Sequence, residues 1–353
     1  MLKRLVIALA AMLTLSCDEH APENQADPLP PGDATVVAVA SNFSDTFAAK
    51  RVVLPQVYQN SARLFELARF LVPRLHQQDG LLVIYGEKVW NDLRIDDADR
   101  LIVLRTSDFS VAAEVRIPPG TKPTDVVIAH RRLFVSDYLG TGLLMARLDH
   151  DEPTALPITL GVDPDWTPNC TALTSVGAQL WVLCIAKDDF MVRPRNRAAV
   201  VAVDAHDPGK VLKVQEFEQE RARPGFVSTP HGIFVATGRI NSALSCAERL
   251  VARDDGPEAT GCFVHFRDLM DRSASGEVVV PRHLLWDGAR KRIVMPMGFD
   301  GMVYLDPVTG TFTQASAPHV SGRPTAVCPN GYIASAMKEG LDVFDGEETI
   351  ADH

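Results

Sequence analysis

The sequence predicts an all-β chain: a six- to seven-bladed β-propeller that follows a signal peptide and a disordered tether. Three observations predict it. Short β-type runs separated by turn residues recur from residue 34 onward. Prolines at 123, 168, 224, 281 and 324 open the repeating units, at spacings of 45, 56, 57 and 43 residues. A period of roughly 40–50 residues with several short strands per unit is the sequence signature of propeller blades. Finally, the first 33 residues differ in character from all that follow, an apolar leader giving way to a stretch of prolines and acids.

The leader comes first in the chain. Met1-Leu2-Lys3-Arg4 is a short basic start, and Leu5 to Leu15 is apolar except for Thr14. That run is shorter than the roughly 20 apolar residues needed to span a bilayer, so it reads as a secretory signal peptide over residues 1–16. Leu13-Thr14-Leu15-Ser16-Cys17 resembles the bacterial lipoprotein pattern. The resemblance implies cleavage after Ser16 and acylation of Cys17, palmitate included, with the bilayer as partner. The expected location is a bacterial membrane, on the side facing the periplasm or the cell exterior. The competing reading is an ordinary signal peptide cut near Ser16, with Cys17 a plain residue. Asp18 after Cys17 resembles the inner-membrane retention signal of enteric bacteria.

Residues 17–33 hold almost no large apolar side chain and are rich in proline and acids, which predicts an extended, solvated tether. At roughly 3.3 Å per residue it reaches at most about 50 Å. The propeller domain is expected over 34–350. The whole chain carries a formal charge of −10. Cleavage removes Lys3 and Arg4 and no acid, so the mature charge is −10 − 2 = −12. Such an acidic chain disfavours nucleic acid as a partner. Its apolar content of 46% is ordinary for a globular protein, and the length suffices for one large all-β domain or two domains.

Each unit reads as a proline at the start of strand A, a turn, strand B, a turn, and a strand C that ends in aspartate. Pro123 leads to Leu133-Phe-Val-Ser-Asp137 and Leu143 to Asp149. Pro168 leads to Leu180-Trp-Val-Leu183 and Ala199 to Asp204. Pro281 leads to Arg292-Ile-Val-Met295 and Gly301 to Asp306. Proline is tolerated at a strand start because its missing N–H lies at the end of the ladder. Asp306-Pro-Val-Thr-Gly310 is a tight-turn signal between strands C and D. The longer spacings place extended loops at 186–197 and 238–261. Upstream, strands are expected over 35–41, 50–54, 80–85, 100–104 and 112–117. Residues 61–71 fit either an inserted helix or a strand. Phe134-Val-Ser-Asp, Phe234-Val-Ala-Thr and Tyr332-Ile-Ala-Ser stand where the surface-layer (YVTN-repeat) and lactonase-like propellers carry their signature tetrapeptide. In this the chain resembles those secreted bacterial propellers.

Five cysteines remain besides Cys17, so not all can pair. Cys170 and Cys184 flank one expected hairpin and suit a disulfide. Cys246 and Cys262 bracket a charged stretch, Ala247 to Gly261, that reads as an exposed loop, and a disulfide there would close it. Cys328 is left over, on a strand. The alternative is five reduced, buried cysteines.

The sequence lacks a phosphate-binding glycine loop, His-Glu-x-x-His, Gly-x-Ser-x-Gly and Cys-x-x-Cys. The acidic loops Asp92–Asp99 and Asp163-Pro-Asp165 lack calcium-loop spacing and read as solvated turns. If the five prolines are equivalent, so are Asp125, Cys170, Phe226, His283 and Ala326, two positions on. Asp125 and His283 would then share the axial funnel, where a carboxylate and an imidazole can bind a metal or relay protons. The favoured reading is structural: both groups hydrogen-bond neighbouring blades. Trp181 and Phe234 are expected in the inter-blade core, and Trp90, Trp166 and Trp286 at turns. No metal or cofactor is expected. The sequence therefore favours a membrane-anchored propeller that binds a protein or small ligand on one face. The alternative is a lactonase-like or metal-dependent hydrolase with an axial site at Asp125 and His283.

Overall fold

The computed structural model describes residues 15–17, 34–42, 46–54, 60–62, 73–86, 89–90, 93–94, 100–105, 110–140, 142–150, 152–160, 168–186, 198–217, 225–238, 245–268, 281, 284–296, 302–314, 325–327, 333–336, 341–344 and 349–352. Among them are strands and turns, one 3₁₀ turn at 266–268, and no α-helix.

The strands form seven four-stranded antiparallel sheets among the described residues. The first joins β1 (Leu15–Cys17), β2 (Ala34–Asn42), β3 (Thr46–Leu54) and β4 (Asn60–Ala62). The second joins β5 (Pro73–Gln78), β6 (Leu81–Gly86), β9 (Arg100–Arg105) and β10 (Val111–Arg116), with a small hairpin, β7 (Val89–Trp90) and β8 (Leu93–Arg94), inserted between β6 and β9. The third contains β11 (Pro123–Ala129), β12 (Arg132–Asp137), β13 (Gly142–Arg147) and β14 (Leu156–Thr159). The fourth contains β15 (Pro168–Val176), β16 (Gln179–Ala186), β17 (Ala198–Asp204) and β18 (Val211–Glu216). The fifth contains β19 (Val227–Thr229), β20 (Gly232–Thr237), β21 (Cys246–Arg253) and β22 (Gly256–His265). The sixth contains β23 (Leu285–Asp287), β24 (Arg292–Pro296), β25 (Met302–Leu305) and β26 (Phe312–Gln314). The last contains β27 (Thr325–Val327), β28 (Ile333–Ala336), β29 (Leu341–Phe344) and β30 (Thr349–Asp352).

Within each sheet the strands pair in chain order, so each unit is a meander. First strands of consecutive sheets lie side by side: β5 beside β11, β11 beside β15, β19 beside β23, β23 beside β27. β1 touches both β5 and β27, which brings the two ends of the series together. Cys17, expected to begin the tether, here pairs with Val36 across the β1–β2 ladder.

The packing follows from the two-residue period of a strand. On β16, Leu180, Val182 and Cys184 face the third sheet with Val127, Phe134 and Leu143. The intervening Trp181 and Leu183 face the fifth, with Ile233, Val235 and Leu250. On β20, Ile233 and Val235 point back to the fourth sheet while Phe234 and Ala236 point forward to Ile293 and Leu305 of the sixth. Val294 of β24 continues the series to Ile333 of the last sheet. Middle strands consequently carry unbroken apolar runs, as in the fully buried Leu133-Phe-Val135. Fourth strands are wet: β14 is exposed at three of its four positions. Trp181 and Phe234 are fully buried, as expected of inter-blade core. Trp286 lies on β23, half-buried against the core, rather than at a turn.

Two turns repeat one local solution. Asp204 Oδ1 accepts the N–H groups of His206 (2.8 Å) and Asp207 (3.4 Å). Asp306 Oδ1 accepts those of Val308 (2.7 Å) and Thr309 (3.0 Å). These are Asx turns, and they explain why strand C ends in aspartate. Gly310, at φ 74°, closes the second of them.

The expected loop at 238–261 requires correction. Its charged part, Ala247 to Gly261, is a long β-hairpin, with Arg253 paired to Gly256 across a two-residue turn, Asp254-Asp255. Cys246, Ala247, Glu248 and Leu250 are buried, while the charges of Arg253, Asp254, Asp255 and Glu258 stay in solvent. Charge density marked an edge hairpin, not a loop. Gly256 is required there: its φ is 137°, and a Cβ would lie 2.7 Å from Cβ of Lys213 on β18.

Truncating Trp181→Ala should cost about 3–5 kcal/mol in denaturant unfolding, whereas the exposed Leu156→Ala should change stability by less than about 0.5 kcal/mol. Asp306→Ala should lower the Tm at neutral pH. Backbone N–H groups of Thr309 and Val308 hold the Asp306 carboxyl below its usual range. A depressed carboxylate stabilises above its unfolded pKa and loses that contribution as pH falls through its folded pKa. The Tm gap between variant and wild type should therefore close in acid.

Candidate functional site

Proline position organises the inner ends of the sheets. β11 begins at Pro123 and β15 at Pro168, and Pro324 directly precedes β27. Pro281 is buried four residues before β23. A sixth member, Pro73, begins β5. It stands fifty residues before Pro123, inside the range of the other spacings.

Asp125 lies two residues into β11, just after a bulge that shifts the register between Pro123 and Asp125. Bulges turn a side chain away from the regular alternation. The half-buried carboxylate bridges two sheets. Its Oδ1 accepts the N–H of Val126 (2.9 Å), and its Oδ2 accepts the N–H of Leu173 on β15 (2.8 Å). Thr124 Oγ1 donates to the carbonyl of Cys170 (2.8 Å) and lies 2.9 Å from Ser136 Oγ. Ser136 Oγ in turn donates to the Asp125 carbonyl (3.2 Å). One sheet back, Gln78 does the same for β11: its Nε2 donates to Ile128 O (2.7 Å) and its Oε1 accepts Ile128 N–H (3.0 Å). Polar side chains on first strands thus serve as hydrogen-bond staples between sheets. These strands lack direct ladder bonds to one another, and a buried backbone group without a partner costs about 1–3 kcal/mol.

At the same strand ends, buried Asp137 accepts the N–H groups of Lys122 (2.9 Å) and Leu139 (3.1 Å) through Oδ1. A Cβ at Gly140 would lie 2.0 Å from Asp137 Oδ2, so a side chain there would push this carboxylate aside.

The other axial candidates divide. His283 lies outside the described residues, as do Cys328 and the acidic loop at 163–165. Phe226 is half-buried against the core between the fourth and fifth sheets. Ala326 lies on β27. Cys170 is directly opposite Cys184, and the two form a disulfide, as expected of that pair. Cys246 and Cys262, expected to close a loop by a disulfide, are both thiols, on the paired strands of a hairpin rather than at the ends of a loop. One pairing was not legible in the sequence: the rings of His130 and His206, on turns of the third and fourth sheets, tilt together with centroids 4.1 Å apart. Among the described residues no group of three or more His, Cys, Asp or Glu side chains is arranged to hold a metal ion.

No protein-family profile and no curated protein matches the chain. Solved structures do. The β-propeller domain of Myceliophteria thermophila Cps50 (Swd1) superposes with a TM-score of 0.61 at 9% identity, over 96% of this chain and 98% of that one. A chain of the mitotic checkpoint complex gives 0.58 at 10% identity, over 89% and 85%. A chain of Kuenenia stuttgartiensis hydrazine synthase gives 0.52 at 11% identity, over 92% and 98%. With its repeated four-stranded sheets, the chain is a β-propeller.

Asp125→Ala should leave the Leu173 N–H unpaired at a sheet junction and cost about 1–3 kcal/mol in denaturant unfolding. Asp125→Asn keeps an acceptor oxygen and should cost less.

Proposed function

We propose that the chain is an exported, lipid-anchored lipoprotein whose propeller binds a protein or small ligand on one face. The fold suggests a binding or scaffold module. The anchoring rests on the leader and on Ser16-Cys17, whose pattern matches cleavage and acylation at Cys17. On this reading β1 belongs to the precursor, since cleavage after Ser16 removes Leu15 and Ser16, and β2–β4 remain as the first sheet.

The observation that carries the binding reading is the propeller fold itself, a series of four-stranded sheets, in which Asp125 acts as a staple. Both carboxylate oxygens accept backbone N–H groups, one of them from the neighbouring sheet. These bonds give the carboxylate a structural task at the junction of two sheets, the reading that a binding module shares with any propeller. The surface-layer (YVTN) or lactonase-like kinship belongs to the same proposal, supported by the tetrapeptide positions of Phe134, Phe234 and Tyr332.

Expression in a bacterium fed labelled palmitate tests the anchor. Wild type should incorporate label and sediment with membranes, and Cys17→Ala should do neither. Label-free wild type in the soluble fraction would refute the anchor. Turnover of a lactone or ester that is abolished by His283→Ala would replace the binding reading with the hydrolase.

A further inference from the structure

We propose that Cys246 and Cys262 form a redox-active dithiol, which closes to a disulfide by exchange with an external low-molecular-weight disulfide. The two cysteines sit on β21 and β22. Cys262 is paired with Glu248, two residues along from Cys246, and the register shifts on both sides of Glu248. They are therefore diagonal neighbours on one face of a bulged ladder. The contrast with the other pair is informative. Cys170 and Cys184 are directly opposite, fully buried and joined. The second pair has one buried member, Cys246, and one exposed member, Cys262, and both are thiols.

This asymmetry assigns the two roles. Cys262 meets solvent, so it attacks. Cys246 lies behind it, so it resolves. Each has a proton acceptor. His265 Nδ1 is 3.5 Å from Cys262 Sγ, and in the tautomer protonated at Nε2 it accepts that proton. Cys246 Sγ donates toward Glu248 Oε1 at 3.9 Å, with Thr237 Oγ1 at 3.5 Å. The thiolate of Cys262 bonds to one sulfur of the external disulfide, whose S–S bond breaks and releases the first thiolate. The thiolate of Cys246 then bonds to Cys262 Sγ, breaking the mixed disulfide and releasing the second. Two protein thiols are oxidised, one disulfide is reduced to two thiols, and the two protons pass by way of His265 and Glu248 to the released thiolates.

The surroundings set the rate. Burial raises both thiols above their usual range, and Glu248 adds to this for each. Around Cys262, Asp268 also raises and Arg267 lowers. A raised thiol exchanges slowly at neutral pH, and its thiolate fraction grows about tenfold per pH unit below its pKa. The pair is therefore poised to stay reduced under mild conditions and to close under alkaline or strongly oxidising ones.

The test uses the full chain with oxidised glutathione as probe, followed by alkylation of free thiols and peptide mapping without reduction. Wild type should lose alkylation at Cys246 and Cys262 together and yield a peptide cross-linked between them, at a rate rising about tenfold per pH unit between pH 7 and 9. Cys246→Ser should stop at a glutathione adduct on Cys262, and Cys262→Ser should leave Cys246 unmodified. His265→Ala should slow closure roughly tenfold or more at neutral pH. Wild type that keeps both cysteines alkylatable, or that accumulates an unresolved adduct on Cys262, overturns the proposal. An unchanged far-UV circular dichroism spectrum of each variant reports that the chain remained folded.

Discussion

The middle strands β12, β16, β20 and β24 each belong to two cores at once, and the rest of the structure depends on that. A strand sends successive side chains to opposite faces. When both faces are covered by other sheets, both are mostly apolar. Trp181 packs forward and Val182 backward, one residue apart, and both are fully buried. Such a sheet cannot be stable alone, because each of its faces is half of a sandwich whose other half lies in the next repeat. Meander sheets stacked in series therefore need the series to close. β1 lying against both β5 and β27 does this in the full-length chain.

The same constraint explains where the polar groups go. First strands converge without sharing ladder bonds, so side chains must complete the hydrogen bonding. Gln78, Thr124 and Asp125 do so by gripping the backbone of the next sheet. An axial carboxylate in a propeller is thereby ambiguous between chemistry and architecture. In Asp125 the geometry favours architecture, which turns attention from the axis to the faces and to the hairpin that carries Cys246 and Cys262.

The fold was legible in the sequence because stacking leaves a record: apolar runs where strands are buried on both faces, proline at inner strand starts, aspartate at the C–D turn. Pro123, Pro168 and Asp306 were each placed correctly by that logic. Pro73 is masked in the sequence by upstream leucines that fit a helical period equally well. The 246–265 hairpin differs from the expected loop because its charges belong to an outer edge, where a strand resembles a loop in composition. The pairing of Asp125 with Leu173, and of His130 with His206, could not be read at all. Each depends on how closely two sheets approach, and no local pattern encodes that distance.

Residue-resolved amide hydrogen exchange on the full chain tests the shared-core account most directly. If alternate faces of each middle strand serve two neighbouring cores, amides of β12, β16, β20 and β24 should exchange only through global opening. Their opening free energies should be equal and should fall together in denaturant. Sheets that open one after another, each with its own free energy, would contradict it.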